Sequence, residues 1–570
     1  MKLIWAAGLP IAVYLLGFWL YGRWLARAFG LSADAETPAR RIDDGQDFVP
    51  TRPAVLLGQH FAAIAAVGPI AGPIIAGAKY GWLPGMLWIT LGAVFVGGVH
   101  DLSALIISVR GGGRSVGDVF RDVLGARASR LFSAFIWLSL MYVILVFTDL
   151  TAAAFVSRPE LGAEDFGPGV ATSSLLYLGL SVALGLLWRR GRAPLWLTTL
   201  VFVPAVFGVI WLGQKLPIVF PGDALAQGRA WDLVILAYCV AASLMPMWLL
   251  LQPRGYLGGF ILYSTFAAGI LGLFFGGQPI QFPARAAPAA GVPAPALFPL
   301  LFTTIACGAC SGFHGLVASG TTSKQLARET DARLVGYGGM LLESLVAVIA
   351  MATVMMLAPG SPELSRGPDE IYARGLAHFM QAFGIPFAAG VAFAKLAFAT
   401  FIYDTLDVAT RLGRYVIEES VGRGGRRSAF LAAAATVAVP LVTVFMTWHD
   451  AAGNPVPLWR IFWPAFGASN QLLAAMTLTG VTIWLAREGR NPWVTGLPAA
   501  FMTLVTFSSL GVLTLPWLKR VAQGRLALDP IGTTGLLLML LAVAYLWEAA
   551  RAAASLRARH DKMMNLETLA

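Results

Sequence analysis

Residues 58–77 read GQHFAAIAAVGPIAGPIIAG. Their length and apolarity suit a membrane-spanning helix. Yet the stretch opens with Gln59-His60 and carries two Gly-Pro steps, Gly68-Pro69 and Gly72-Pro73. Proline removes a backbone donor and crowds the preceding turn. In hydrocarbon every peptide group left unsatisfied is costly, so an interrupted helix survives there only when buried in protein or lining a cavity. The stretch therefore predicts a broken span whose freed backbone groups face a ligand path.

Composition supplies the solvent for that reading. The chain has 570 residues, 57% hydrophobic and only 12% charged, with a mean hydropathy of +0.71. Soluble chains carry about 25% charged residues, so lipid solvates most of this one. Apolar segments of membrane-crossing length recur near 3–22, 54–78, 83–110, 129–156, 170–189, 194–213, 231–252 and 256–278. They continue near 297–322, 336–358, 383–405, 428–448, 461–486, 494–517 and 530–555. The expected fold class is an all-α integral membrane protein with about 15 transmembrane helices. The first segment runs into Arg23 and Arg27 without a small-residue cleavage site, and reads as a retained helix rather than a signal peptide.

Basic residues cluster in alternate connections, as in Arg189-Arg190-Gly191-Arg192 and Arg423 to Arg427. Lys and Arg favour cytoplasmic connections, which places the N-terminus outside and the C-terminus inside. The net charge of +11 then reflects topology and anionic lipid, not a nucleic-acid partner. The basic tail from Arg551 reads as a surface terminus on the cytoplasmic face. Neither a phosphate-cradling GxxxxGK[ST] motif nor HExxH occurs, and no nucleophile sits beside a base, so an enzyme is not expected. Cys307 and Cys310 form CGAC without a second pair, and small residues there suit close helix packing better than a metal.

Ionisable residues inside spans are functional candidates by default. They are His60, His100-Asp101, Asp149, His314, Glu343 and Lys395, with Asn470-Gln471 as uncharged polar companions. Asp407 and Arg411 stand four apart and could form an intrahelical pair. A midspan Lys395 needs a partner, and Asp404 lies too far along its own helix to serve, so another segment must supply it. Two further irregularities stand out: Ser243-Leu244-Met245-Pro246 in the seventh segment, and Ser319-Gly320-Thr321-Thr322 closing the ninth. Paired interruptions in segments of opposite orientation point to inverted repeats with a binding site between them. The second and seventh segments are five apart, which predicts two inverted five-helix repeats.

Several long strings support a family resemblance. DGQDFVPTRPAVLLGQHFAAIAAVGPIAGP, YGWLPGMLWITLGAVFVGGVHDL, LMPMWLLLQPRGYL, CGACSGFHGLVASGTTSKQLARE, TLDVATRLGRY and FWPAFGASNQLLAA occur in that order. Together they resemble the carbon starvation protein A family across most of the chain. The resemblance implies a bacterial inner-membrane transporter with leucine-transporter-like inverted repeats, taking up peptides or, in some members, pyruvate with protons. The family pattern usually has two adjacent histidines where this chain has Gln59-His60.

On that basis the chain divides into 1–53 (accessory helix and loop), 54–213 and 231–405 (the two repeats), and 428–570 (accessory helices and tail). Substrate contacts are expected at Gln59, His60, Gly68, Pro69, Gly72, Pro73, Ser243, Pro246, Ser311 and His314. Ion coupling is expected at Asp101, Ser319, Thr321, Thr322, Glu343, Lys395, Asp404 and Asp407. No cofactor is expected, the coupling ion being a proton or Na+. A sodium-coupled amino-acid or peptide transporter is the alternative, with a channel or a membrane sensor further off. The sequence leaves the substrate and any homo-oligomer open.

Overall fold

In a computed structural model the described residues are 2–44, 48–191, 194–246, 248–287, 295–421, 425–449, 455–525 and 529–567. Among them no β-strand forms, only three isolated bridges. The helices are α1 (Leu3–Ala28), α2 (Pro53–Ile64), α3 (Gly68–Tyr80), α4 (Trp82–Arg110), α5 (Val116–Leu124) and α6 (Ala126–Phe155). They continue with α7 (Gly167–Arg189), α8 (Leu195–Lys215), α9 (Ala224–Leu244), α10 (Leu251–Phe275), α11 (Leu300–Thr304), α12 (Gly312–Gly320) and α13 (Glu329–Met355). The last are α14 (Pro368–Gln381), α15 (Phe387–Val421), α16 (Arg426–Val444), α17 (Leu458–Arg487), α18 (Trp493–Ala522) and α19 (Pro530–Glu567).

Among the described residues, twelve helices are long and apolar enough to cross a membrane, or thirteen when α2 and α3, bent by 50° at their junction, count as one. The expected count of fifteen differs at two places for physical reasons. Segment 297–322 is split into the short pieces α11 and α12, and α17 is a 30-residue helix whose apolar run is diluted by Ser469, Asn470 and Gln471. Large apolar side chains face outward on the periphery, as Trp5 and Leu9 on α1 and Trp196 and Trp211 on α8 do. In lipid that exposure is solvation, not a defect.

Around the buried centre, α6 and α15 pack on each other. Several contacts around it are preserved when two sets of helices are exchanged. α2 packs on α10 as α11 packs on α17, and α3 packs on α13 as α12 packs on α4. α6 packs on α9 and α17 as α15 packs on α16 and α10. The short helix α5 lies on α6 and α17 as α14 lies on α15 and α10.

Two ends can be told apart by their contacts. At one, Arg110 pairs with Glu329 at 2.7 Å, Arg490 donates to the Ala28 carbonyl and Arg487 to that of Asp122. This is the basic end. At the other, Leu3 N–H donates to Gln278 and Leu83 N–H to Ala284.

One expected break is corrected here. Ser243 to Pro246 is not a mid-span interruption: Asp223 caps the start of α9 through Ala226 N–H at 2.8 Å, and the 21-residue helix is complete at Leu244. Pro246 therefore lies in the connection to α10, where a proline ends a helix without orphaning a buried donor. The Ser243 hydroxyl bonds back to the Val240 carbonyl, and Arg411 donates to the carbonyls of Ala242 and Met245.

Candidate functional site

The helix beginning at Gly68 explains why the chain stops at Ala65–Val67. Pro69 occupies the first turn of α3, where a missing N–H costs nothing, so Gly68-Pro69 starts a helix. Pro73 sits inside α3, and the second Gly-Pro step is no break at all. The two glycines serve a crossing instead. A Cβ at Gly68 would collide with Cys307 Sγ, and one at Gly72 would lie 2.8 Å from the Thr304 carbonyl oxygen. The segment facing the α2–α3 break is thus 305–311, the unwound stretch between α11 and α12, and not 243–246.

Side chains from two other helices bond to that unwound stretch and to the helix ends on either side of it. Trp88 Nε1 on α4 lies 3.2 Å from the carbonyls of Phe302 and Ile305. From α17, Trp463 Nε1 reaches Thr304 O at 3.1 Å and Gln471 Nε2 reaches Phe302 O at 2.8 Å. Asn470 accepts from Phe313 N–H at 3.0 Å and donates to Ser311 Oγ at 3.0 Å and to Cys307 Sγ at 3.4 Å. The polar run of α17 is therefore the hydrogen-bonding support of a broken span, which hydrocarbon requires.

Beside the crossing lies a line of buried ionisable groups. On α4, His100 Nδ1 is 2.7 Å from Asp101 Oδ1. Asp101 Oδ2 is 2.8 Å from His314 Nδ1 on α12. His314 Nε2 is 3.2 Å from Glu343 Oε2 on α13, off a hydrogen-bonding direction. None of the four residues is more than 1% exposed. His60, on α2 and equally buried, bonds through Nδ1 to Thr322 Oγ1 at 2.9 Å. Its ring packs against Gly339, where a Cβ would sit 2.8 Å away, one helical turn from Glu343. Nε2 of His60, Nε2 of His100 and both oxygens of Glu343 have no hydrogen-bond partner. Among the described residues no three His, Cys, Asp or Glu are grouped to hold a metal ion.

The expected residues thus divide into groups. His60, Gly68, Pro69, Gly72, Pro73, Asp101, Ser311, His314, Thr322 and Glu343 meet at or beside the crossing. Ser319 bonds back to the Gly315 carbonyl, and Thr321 is exposed. Gln59 is exposed and does not enter the buried line. Ser243 and Pro246 lie elsewhere, as described.

Lys395 also lies apart from the crossing. Its partners come from α14: Nζ is 2.5 Å from Glu370 Oε2 and 3.9 Å from Asp369 Oδ2. Glu370 in turn accepts from Arg374, which pairs with Glu164. Burial alone would raise the Glu370 carboxyl, but the Lys395 and Arg374 cations outweigh it and hold that group below its ordinary value. Asp404 and Asp407 are partners of Arg254 on α10, at 2.6 and 2.5 Å, with Tyr238 on the same guanidinium. Arg411 is spent on carbonyls and forms no pair with Asp407. Sequence reasoning missed Arg254, Glu370, Arg374, Trp88 and Trp463 as members of these networks. Asp369-Glu370 could have been found as the nearest acidic pair to an unpaired midspan lysine.

The family model for carbon starvation protein CstA matches residues 2–365 and 362–509. The chain is 31% identical to the peptide transporter CstA of Helicobacter pylori over 605 residues, covering 93% of this chain and 86% of that one. It is 31% identical to the peptide transporter CstA of Escherichia coli, covering 89% and 80%. With the pyruvate/proton symporter BtsT of Escherichia coli it shares 29% identity, over 89% and 81%. Among solved structures, MhsT in complex with L-phenylalanine aligns at a TM-score of 0.44 and 13% identity, over 85% and 98% of the two chains. A manganese transporter of Eremococcus coleocola aligns at 0.45 and 12%, over 90% and 99%. By its family match and its relatives, this chain belongs to the carbon starvation protein CstA family.

Proposed function

We propose that the chain is a proton-coupled symporter that imports a small carboxylate nutrient, pyruvate or a short peptide, across a bacterial inner membrane. The observation that carries this is the buried line His100–Asp101–His314–Glu343, which adjoins the crossing of two broken helices. Unwound backbone at that crossing offers N–H groups to an anion, while the line offers sites between which a proton can pass. Coupling needs only that the two access states differ in affinity for proton and substrate.

The repeats of this reading are α2/α3, α4, α6, α9 and α10, and α11/α12, α13, α15, α16 and α17. The exchange symmetry of the packing supports that grouping over the consecutive blocks 54–213 and 231–405. The basic end faces the cytoplasm with the C-terminus, and the N-terminus is periplasmic.

The test is uptake of radiolabelled pyruvate and of di- and tripeptides into proteoliposomes under imposed proton or sodium gradients. Accumulation driven by the proton gradient and collapsed by a protonophore is expected. Uptake indifferent to both gradients would overturn the symporter, and dependence on sodium alone would reassign the ion.

A further inference from the structure

Away from the crossing, a groove of about 590 Å³ runs between α17, α18 and α19. Small residues carve it: Gly496, Ala499 and Ala500 on α18, with Ala549, Ala550 and Ala553 on α19. Its α19 wall extends from Leu546 to Ala553, about 11 Å at 1.5 Å per residue. That is most of the roughly 15 Å that the hydrocarbon of one leaflet occupies. The leaflet is the one at the basic end, because α17 closes at Arg487 and α18 opens at Trp493 just beyond the groove.

The wall selects the kind of occupant. Thr479, Thr482 and Thr503 line the groove, but their hydroxyls donate to carbonyls of their own helices one turn earlier, at 2.8, 2.7 and 2.7 Å. They present methyl groups, and the rest of the wall is Gly, Ala, Leu and Ile. A polar solute would lose its hydrogen bonds to water there, whereas a hydrocarbon chain would not.

The mouth has a different chemistry. Arg557 stands four residues after Ala553 and eleven after Leu546, which places it on the groove face of α19, and it is exposed. Arg551 and Glu548 pair with each other at 3.5 Å on the opposite face of that helix. Trp493, three residues before Gly496, is 66% exposed on the groove side of α18. Its amphipathic ring suits the level where hydrocarbon meets headgroups. Arg487 follows Ile483 by one turn at the same end, with one donor on the Asp122 carbonyl.

We infer that this groove holds one anionic phospholipid, its acyl chain between the alanines and its phosphate at Arg557. A chain seated among three helices touches protein on more sides than one lying on a flat helix face, so it is retained when bulk lipid is stripped. Bound there, the lipid ties α18 and α19 to α17. Trp463, Asn470 and Gln471 of α17 bond to the unwound stretch and its flanks, so the lipid braces the support of the crossing from outside.

The experiment uses the full-length protein, purified in detergent and delipidated. It is titrated with phosphatidylglycerol or phosphatidylcholine of identical chains, and bound lipid is counted by native mass spectrometry. Saturable binding of one phosphatidylglycerol per chain is expected, about five-fold tighter than phosphatidylcholine, the preference that one arginine near the surface supplies. Ala550→Phe fills the groove from an exposed position and should abolish saturable binding, and Ala500→Phe repeats the test from α18. Leu540→Phe, exposed on another face of α19, should leave binding intact. Phosphatidylglycerol should raise Tm in the wild type and in L540F but not in the two groove variants. Arg557→Gln should keep the lipid and lose the preference for the anionic headgroup. Binding that does not saturate, or that is unchanged in A550F and A500F, would overturn the site and leave bulk lipid contact only. Equal affinity of the wild type for the two lipids, or an undiminished preference in R557Q, would overturn the placement of an anionic headgroup at Arg557.

Discussion

His60 Nδ1 lies 2.9 Å from Thr322 Oγ1, and this one bond joins the first half of one broken helix to the turn that follows the other. His60 precedes the break by five residues and Thr322 follows α12 by two. T322V removes the hydroxyl with little change of shape. Because a neutral buried hydrogen bond contributes about 1 kcal/mol, the fold should survive, with a small fall in Tm. Uptake in proteoliposomes should fall about five-fold, as about 1 kcal/mol at 1.4 kcal/mol per decade gives, and T322S should restore it.

Glu343→Gln keeps the shape of a side chain whose oxygens make no hydrogen bond while removing its ability to ionise. Accumulation against a gradient should be lost, whereas exchange of labelled for unlabelled substrate across the membrane should continue. That split separates a proton-carrying role from a binding role, for which exchange would also fail. Asp101→Asn is a harsher change, because Asp101 is bonded to both His100 and His314. Breaking a buried charged pair costs about 3–5 kcal/mol, so this second variant should unfold at visibly lower temperature in detergent.

Gly68→Ala puts a methyl group against Cys307 Sγ where two backbones cross. Overpacking of this kind costs about 1–3 kcal/mol, and transport should fall with stability. Gly179→Ala on α7 meets nothing within 4 Å and should be neutral or slightly stabilising, since alanine favours the helix by about 0.5–1 kcal/mol. Thermal unfolding of the two variants side by side tests whether the crossing is as tight as drawn. Equal Tm values would refute it.

Arg254 is fully buried and holds Asp404 and Asp407 together with Tyr238. Arg254→Met leaves the buried carboxylate of Asp407 and the partly exposed one of Asp404 without their cation, at a cost of about 3–5 kcal/mol. Monodisperse protein should be recovered poorly by gel filtration. Arg254→Lys should rescue little, because an ammonium cannot present the planar fork that meets two carboxylates at once.

Glu370, on α14 outside the apolar spans, has its carboxyl held down by Lys395 and Arg374 against the effect of burial. A depressed carboxyl stabilises fully above its unfolded value, about 4.3 for glutamate, and that contribution is lost as pH falls through the lower folded value. Tm in detergent should therefore drop on the acid side of that value, and E370Q should show a shallower acid decline. An identical acid limb in both proteins would count against the Lys395–Glu370 pair as a stabilising contact.

Much of this protein was legible one residue at a time. Hydrocarbon forbids unpaired backbone, so the length and apolarity of each segment fixed the membrane class and nearly every span, from Leu3 to the last helix. The same rule made 58–77 stand out as interrupted, and the quoted strings identified the family. His60, Asp101, His314 and Glu343 could be named because a buried charge in lipid is expensive enough to need a reason. Their convergence could not be foreseen, nor could the choice of 305–311 over 243–246 as the counterpart of the break. Spans of similar apolarity differ in sequence far less than in rotation and contact. What brings α3 to α11 is the absence of side chains at Gly68 and Gly72, and what holds 305–311 unwound is hydrogen bonding from Trp88, Trp463, Asn470 and Gln471 on other helices. Lys395, Asp404 and Asp407 were read as coupling residues for the same reason: a charge announces that it needs a partner, but only packing between helices chooses Glu370 for one and Arg254 for the others.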